Sequence, residues 1–331
     1  MLAGTVTGEW LSPAEGRRMS PPSRLAVVAS RMALADAGWP ARRAADEGTA
    51  VVLGTAFGPS SFSEALIRQI LDPGPEAASP FLFTESVANA PAAQVAIAAG
   101  CRGPNLTVCQ REASALLAAV RGAGLVAGGK APAALAGSVD EVSPLLHALL
   151  DRFGALSRGD RGDEVARPFD RGRDGLLAAE GATVLAIERQ DRAAARGMRV
   201  LARILGGGGA FDPTAPVTGY GEGAESLAQS LGGLLERLGV PLERVDLVVS
   251  GASGSRGGDR LEAQVLKALW KDLPLPPVLA PKGVTGEYGG GFLAAAVLAA
   301  AGAASGPTAG FAVPDPALGL VPHDGRPLPR P

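Results

Sequence analysis

Two residue types that carry much enzymatic chemistry are scarce in this chain. There are two cysteines, Cys101 and Cys109, and two histidines, His147 and His323. Two cysteines eight positions apart make no disulfide framework, which points to a cytoplasmic protein. The histidines are too far apart in sequence to suggest a histidine-based metal site. Acid–base chemistry must therefore rest on carboxylates, lysine or one lone histidine. His147 lies in the apolar run SPLLHALL and is expected to be a satisfied core histidine. Cys101 follows Gly100 at a turn and is expected to be structural; Cys109, in TVCQ, is expected to be a small buried interface residue.

Other local motifs fail on spacing. Gly206–Gly209 lacks the lysine and hydroxyl of a phosphate-binding loop, and Gly219-x-Gly221-x-Gly223 lacks the dinucleotide spacing. Both read as loops. Ser253 in GASGS misses the second glycine of a nucleophile elbow.

Composition narrows the class further. The 331 residues are 47% hydrophobic and 19% charged, enough for a large core and unlike a disordered chain. The net charge of −2 and 4% aromatic content argue against a nucleic-acid partner. Met1 to Gly16 does not read as a secretory signal. The greasiest stretch, Phe292–Ala304, falls short of the roughly 20 residues that span a bilayer. It reads as a tightly packed helix, and no membrane partner is expected.

The elements that must position any site alternate between two periodicities. Helical spacing predicts helices over Arg24–Ala37, Ser63–Leu71, Asn89–Ala99, Ala113–Val126, Glu225–Leu238 and Arg260–Trp270, several closed by Gly or Pro stops. Short apolar runs predict strands over Thr49–Gly54, Asn105–Cys109, Ala133–Ala136, Ala182–Glu188, Val200–Leu205 and Val245–Ser250. The result is an α/β layered fold with buried sheets. Val313–Pro331, rich in proline, reads as an extended surface strap or a partly loose tail.

Several separated segments resemble the β-ketoacyl synthase family of the thiolase fold. Ser79-Pro80-Phe81, Val87-Ala88-Asn89 and Gly100-Cys101-Arg102-Gly103-Pro104-Asn105 are similar to its SP-F…N…G-RGP segment. Gly137-Ser138-x-Asp140 resembles its A-G-G-x-E turn. Arg167-Pro168-Phe169-Asp170, Arg173-Asp174-Gly175, Glu180-Gly181-Ala182 and Glu188 resemble its R-P-F-D-x-x-R-D-G…E-G-A…E run. Asp259-x-x-Glu262-Ala263 and Lys282-x-x-Thr285-Gly286 continue the series in order.

The resemblance implies a layered αβαβα fold of two pseudo-repeated halves, a single thiolase-like unit over residues 1–331. Its halves would be 1–175, lacking the usual first strand, and 176–312, followed by the tail 313–331. The chain starts near the family's G-x-V segment, here Gly4-Thr5-Val6, and ends before its glycine-rich G-F-G-G-T-N strand. The fold is therefore expected to be shortened at both termini, with open sheet edges that need cover.

Active members of the family use a cysteine nucleophile at a helix N-terminus and two histidines. Gapless matching from both sides places the nucleophile position at Glu112, and the histidine positions at Gly251 and Glu287. Lys282, which supports the histidines in active members, is retained. The resemblance therefore implies a degenerate site with no catalytic residue and no cofactor, metal included. It implies a chain-length-factor-like subunit that pairs with an active β-ketoacyl synthase of a type II polyketide or fatty-acid system. An acyl carrier protein would be met through that complex. Val87, Asn89, Asn105, Thr107, Cys109, Arg111 and Leu116 would line the partner interface or its acyl tunnel. Glu112 would be a helix N-terminal carboxylate paired with Arg111 or a partner charge. The alternative is an acyl-thioester hydrolase or malonyl-carrier decarboxylase using Glu112 as base.

Overall fold

The computed structural model describes residues 7–40, 46–159, 164–303 and 306–326. The Gly4–Val6 segment and residues 327–331 of the tail lie outside the described residues. The chain divides into two compact units interleaved along the sequence. The first comprises Met1–Leu149, Ala179–Ile204 and Tyr288–Leu293; the second comprises Leu150–Ala178, Leu205–Glu287 and Ala294–Pro331.

In chain order the first unit begins with α1 (Thr7–Trp10), α2 (Pro13–Gly16) and α3 (Pro21–Asp36). Then come β1 (Ala50–Gly54), α4 (Ser60–Leu71), α5 (Pro80–Ser86), α6 (Ala90–Ala99), β2 (Asn105–Val108), α7 (Ser114–Ala127) and β3 (Ala133–Asp140). Next are α8 (Pro144–Arg152), β4 (Gly181–Glu188) and α9 (Gln190–Ala195). The four strands form one sheet in the order β2-β1-β3-β4, parallel except for the antiparallel β3–β4 pair.

β1 shows why this sheet is covered on both faces. Its five residues are all buried, and successive side chains point to opposite faces. Val51 and Leu53 join Val27, Leu34, Val95, Leu135 and Val139 in a core with α3 and α6. Ala50 and Val52 join Ala118, Val126, Ala134 and Ala136 in clusters with α7. Each fully buried Val or Leu side chain contributes about 1.5–3 kcal/mol relative to exposure. Small residues let the layers close. A Cβ at Gly122 of α7 would stand 2.7 Å from the Ala136 Cβ, and one at Gly137 would collide with the Thr183 carbonyl of β4.

The second unit contains α10 (Ala224–Arg237), β5 (Val248–Val249), α11 (Arg256–Leu269), β6 (Val278–Leu279) and α12 (Lys282–Thr285). β5 and β6 pair in parallel. Their core gathers Phe169, Ala252, Ala263, Leu266, Trp270 and Val278 with Leu318 and Leu320. The last helix, α13 (Gly289–Ala300), starts in the first unit, where Phe292 and Leu293 are buried, and its later part, in the second, leaves Leu298 exposed. Its expected end at Ala304 lies outside the described residues.

Three expectations change, and one of the two alternatives for the tail is selected. Val200–Leu205 forms no strand: Val200, Leu201, Ile204 and Leu205 are exposed, and an apolar run becomes a strand only where a neighbour completes its ladder. The Val245–Ser250 strand shrinks to Val248–Val249. His147 is exposed on α8, where Leu146 is the buried residue; the buried histidine is His323. The described part of the tail is tied down rather than loose. The Asp170 carboxylate accepts from the Ala312 and Val313 amides at 2.7 and 2.6 Å. The His323 amide donates to the Val278 carbonyl at 2.7 Å.

Candidate functional site

The first unit builds the Glu112 position at the carboxyl ends of β1 and β3. The Ser114 hydroxyl donates to the Thr55 carbonyl at 3.1 Å and accepts from the Gln110 amide at 2.8 Å. Gly54 permits this approach, because a Cβ there would collide with the Ser114 carbonyl. Asp140, buried at the end of β3, accepts from the Thr55 hydroxyl at 3.0 Å, the Ala56 amide at 2.7 Å and the Gly289 amide at 3.2 Å. The strand ends and the start of α13 are thereby laced together.

A single 3-10 turn, Arg111–Ala113, leads into α7. Arg111 has a positive φ of 47°, a conformation that non-glycine residues rarely adopt. Glu112 is exposed and forms no hydrogen bond or ion pair among the described residues. The expected Arg111–Glu112 pair is absent there: both side chains face water, where such a pair gains little.

The proposed interface residues cluster in this unit. Val87 is 39% exposed and Leu116 45%; Asn89, Asn105, Cys109 and Arg111 are exposed too. Thr107 is half-buried on the edge strand β2, and its hydroxyl has no hydrogen-bond partner. Asn105 donates through Nδ2 to the Ala92 carbonyl at 3.0 Å. Cys109, expected to be buried, is exposed in the single chain. Cys101 packs against the main core, and burial pushes its thiol pKa up to about 11. Phe83 and Ile97 extend the exposed apolar surface on the neighbouring α5 and α6. Periodicity missed Ile97 because α6 is apolar nearly all round and does not mark which side faces out.

In the second unit, Lys282 is 1% exposed and its Nζ lies 2.6 Å from Glu287 Oε1. The Glu287 amide donates to the Leu177 carbonyl at 2.7 Å. Gly251 is exposed, and its amide donates to Glu262 Oε1 at 3.1 Å. Burial raises the Glu262 pKa, against hydrogen bonds from Ser250 and Gly251. Asp259 accepts from the amides of Phe169 (2.8 Å), Ser253 (3.1 Å) and Gly254 (3.2 Å). Burial raises its pKa in spite of these bonds. It holds Phe169, which is fully buried at a φ of 59°. Ser253 is buried and tied to Asp259 through its amide, which fits no nucleophile elbow.

Among the described residues no group of three or more His, Cys, Asp or Glu is arranged to hold a metal ion. No helix among them is long and apolar enough to cross a membrane.

Comparison with known proteins gives consistent matches. The model of the β-ketoacyl synthase N-terminal domain matches residues 7–193. A 3-oxoacyl-[acyl-carrier-protein] synthase 2 of Rhizobium meliloti (strain 1021) is 34% identical over 252 residues, 72% of this chain. That match spans only 58% of the relative, less than two thirds of its length. A synthase of the same name from Staphylococcus aureus is 29% identical over 330 residues, covering 95% of this chain and 80% of its own. Among solved structures, the ishigamide ketosynthase/chain length factor superposes with a TM-score of 0.82 at 29% identity, covering 95% of this chain and 77% of that one. A β-ketoacyl synthase from Burkholderia phymatum STM815 gives a TM-score of 0.81 at 24% identity, over 97% and 78% of the two chains, and shares the fold.

Proposed function

The chain belongs to the β-ketoacyl synthase family and has its mixed α/β thiolase-like fold, and from that premise we propose that it is a non-catalytic, chain-length-factor-like subunit. In this reading it pairs with an active ketosynthase of a fatty-acid or type II polyketide system. It meets an acyl carrier protein through that complex. The curated relatives bear the name of a synthase, so the proposal rests on this chain's own residues.

The observation that carries it is the state of the Glu287 position. Where active members of the family place a histidine, Glu287 is committed to Lys282 at 2.6 Å in a buried ion pair. A carboxylate so bound is a poor stabiliser of the enolate formed on decarboxylation, because it brings negative charge to developing negative charge. Glu112 at the nucleophile position is a weak acyl acceptor beside a thiolate. Gly251 at the other histidine position has no side chain to contribute.

The exposed set around β2 supports the pairing half of the proposal. Val87, Asn89, Asn105, Cys109, Arg111 and Leu116 lie at or near an edge strand, and open edges favour cover by another chain. A neighbour of this chain in fold, at 29% identity, is itself described as a ketosynthase/chain length factor.

The alternative reading, a hydrolase or decarboxylase with Glu112 as base, draws on the exposure of that carboxylate. Both are tested by assaying thioester hydrolysis and malonyl decarboxylation with the chain alone, beside the Glu112→Ala variant. We expect no turnover above the variant's background. Turnover lost in Glu112→Ala would overturn the non-catalytic reading.

A further inference from the structure

In the second unit β5 is paired on one side only. Val248 and Ser250 turn their amides toward β6 and the residue before it, donating to the Pro277 carbonyl at 3.0 Å and the Leu279 carbonyl at 2.8 Å. Alternate residues of a strand present their N–H and C=O groups to opposite edges, so those of Leu247 and Val249 face away from β6. Neither amide has a hydrogen-bond partner among the described residues. Both ends of this open stretch are closed. The Gly251 amide, next on the same edge, donates to Glu262 Oε1 at 3.1 Å. The Val245 amide donates to the Leu242 carbonyl at 3.1 Å.

The side chains divide in the same way. Val248 packs against the core built around Phe169, Leu266 and Trp270. Leu247 and Val249 point to the opposite face, are half-buried, and do not belong to that core. Proteins commonly guard an open edge with lysine, proline or an inward charge. Neither Leu247 nor Val249 is such a residue, so this edge is apolar and unguarded.

The far end of the sequence does not supply the cover. The His323 amide donates to the Val278 carbonyl at 2.7 Å and the Thr308 amide to the His323 carbonyl at 2.9 Å. The strap is thereby committed to β6, the opposite edge of the pair. The five residues after Arg326 read Pro327-Leu328-Pro329-Arg330-Pro331, and proline has no N–H to give to a ladder.

The exposed groups select the occupant. A helix spends its backbone donors and acceptors internally and cannot satisfy a strand edge, whereas an extended chain can. We propose that the outer edge of β5 takes an added strand, an extended segment of a partner polypeptide with apolar residues at alternate positions. Backbone bonds at Leu247 and Val249 hold it, and its apolar side chains cover theirs. The inference does not depend on the reading of the Glu112, Gly251 and Glu287 positions.

The test uses the full chain, isotope-labelled, with amide hydrogen exchange read residue by residue by NMR. In the free chain the Leu247 and Val249 amides are expected to exchange at least about tenfold faster than those of Val248 and Ser250. The probe is a peptide of about ten residues that alternates valine and threonine between terminal lysines, in the range of typical strand lengths. At saturation it is expected to slow exchange at Leu247 and Val249 by about tenfold or more, leaving Val248 unchanged. The same peptide N-methylated through its centre cannot donate and is expected to have no effect. V249P removes an amide that pairs with nothing in the free chain, so it should melt like the parent and lose the peptide's protection of Leu247. If it melts early, L247K serves, with loss of protection at Val249 as the expected result. Protected Leu247 and Val249 amides in the free chain, no slowing by the peptide, or equal slowing by its N-methylated form would each overturn the proposal. So would protection that survives the substitutions, or protection that grows with chain concentration alone and marks a second copy as the occupant.

Discussion

Lys282 Nζ sits 2.6 Å from Glu287 Oε1, with the lysine buried to 1% exposure. The pair joins the first residue of α12 to the residue just past its C-cap, closing a one-turn helix that has little stability of its own. Removing one partner of a buried ion pair costs up to about 3–5 kcal/mol, and Lys282 still feels the Glu262 carboxyl when Glu287 is gone. Glu287→Ala should therefore lower stability by an amount of that order in a denaturant titration.

Glu287→His tests whether the family's usual residue type can simply be put back. It removes the negative partner and sets an imidazole beside Lys282, so it should destabilise nearly as much as Glu287→Ala. It should also fail to restore decarboxylation. Unchanged melting of the histidine variant would show that the ion pair is not what fills this position.

Glu262 gives a pH signature. Burial raises its pKa above the ordinary 4.5, so folding favours its neutral form. Its contribution to stability is present in full below pH 4.5 and is lost as pH climbs through the raised value. Glu262→Gln keeps an acceptor for the Gly251 amide and removes the ionisation. The variant should match the parent near pH 4 and be the more stable of the two at pH 8, by melting midpoint.

Glu15 has the opposite sign. Its bond to Arg31 at 2.7 Å and its capping box with Ser12 lower its pKa from 4.5 to about 2. Its contribution is present above pH 4.5 and fades as pH falls toward 2. Glu15→Gln should lower the melting midpoint at pH 7, with the difference shrinking steadily below pH 4. Partial exposure of Glu15 keeps the effect near about 1 kcal/mol.

The two cysteines should separate in labelling. Cys109 is exposed, whereas Cys101 is packed against the core with its thiol pKa pushed up to about 11. Iodoacetamide at pH 8 should modify Cys109 rapidly and Cys101 slowly in the native chain. Similar rates at both would contradict the placement of β2 and the turn before it.

Most of the first unit is legible in the sequence because its signals are local and redundant. The spacing of Val27, Ser30 and Leu34 gives α3 its buried face, and the run Ala50–Gly54, too short for a helix and buried throughout, gives β1. Val200–Leu205 misled, because its pattern is that of a strand while pairing depends on a neighbour that the pattern does not encode. His147 misled for a related reason: an apolar octet marks a helix, but not which of its residues turns inward. At the candidate site, the assignment of Glu112, Gly251 and Glu287 to the family's catalytic positions is a reading of motif spacing and stands as part of the proposal. The commitment of Glu287 to Lys282 and the positive φ at Arg111 are matters of geometry and needed the structure.

The most direct test of the central claim is native mass spectrometry of this chain co-expressed with an active, cysteine-bearing ketosynthase of the same genome. The account predicts a one-to-one complex in which Cys109, exposed in the single chain, becomes protected from iodoacetamide. A chain that remains unassociated, with Cys109 labelling at its free rate, would contradict it.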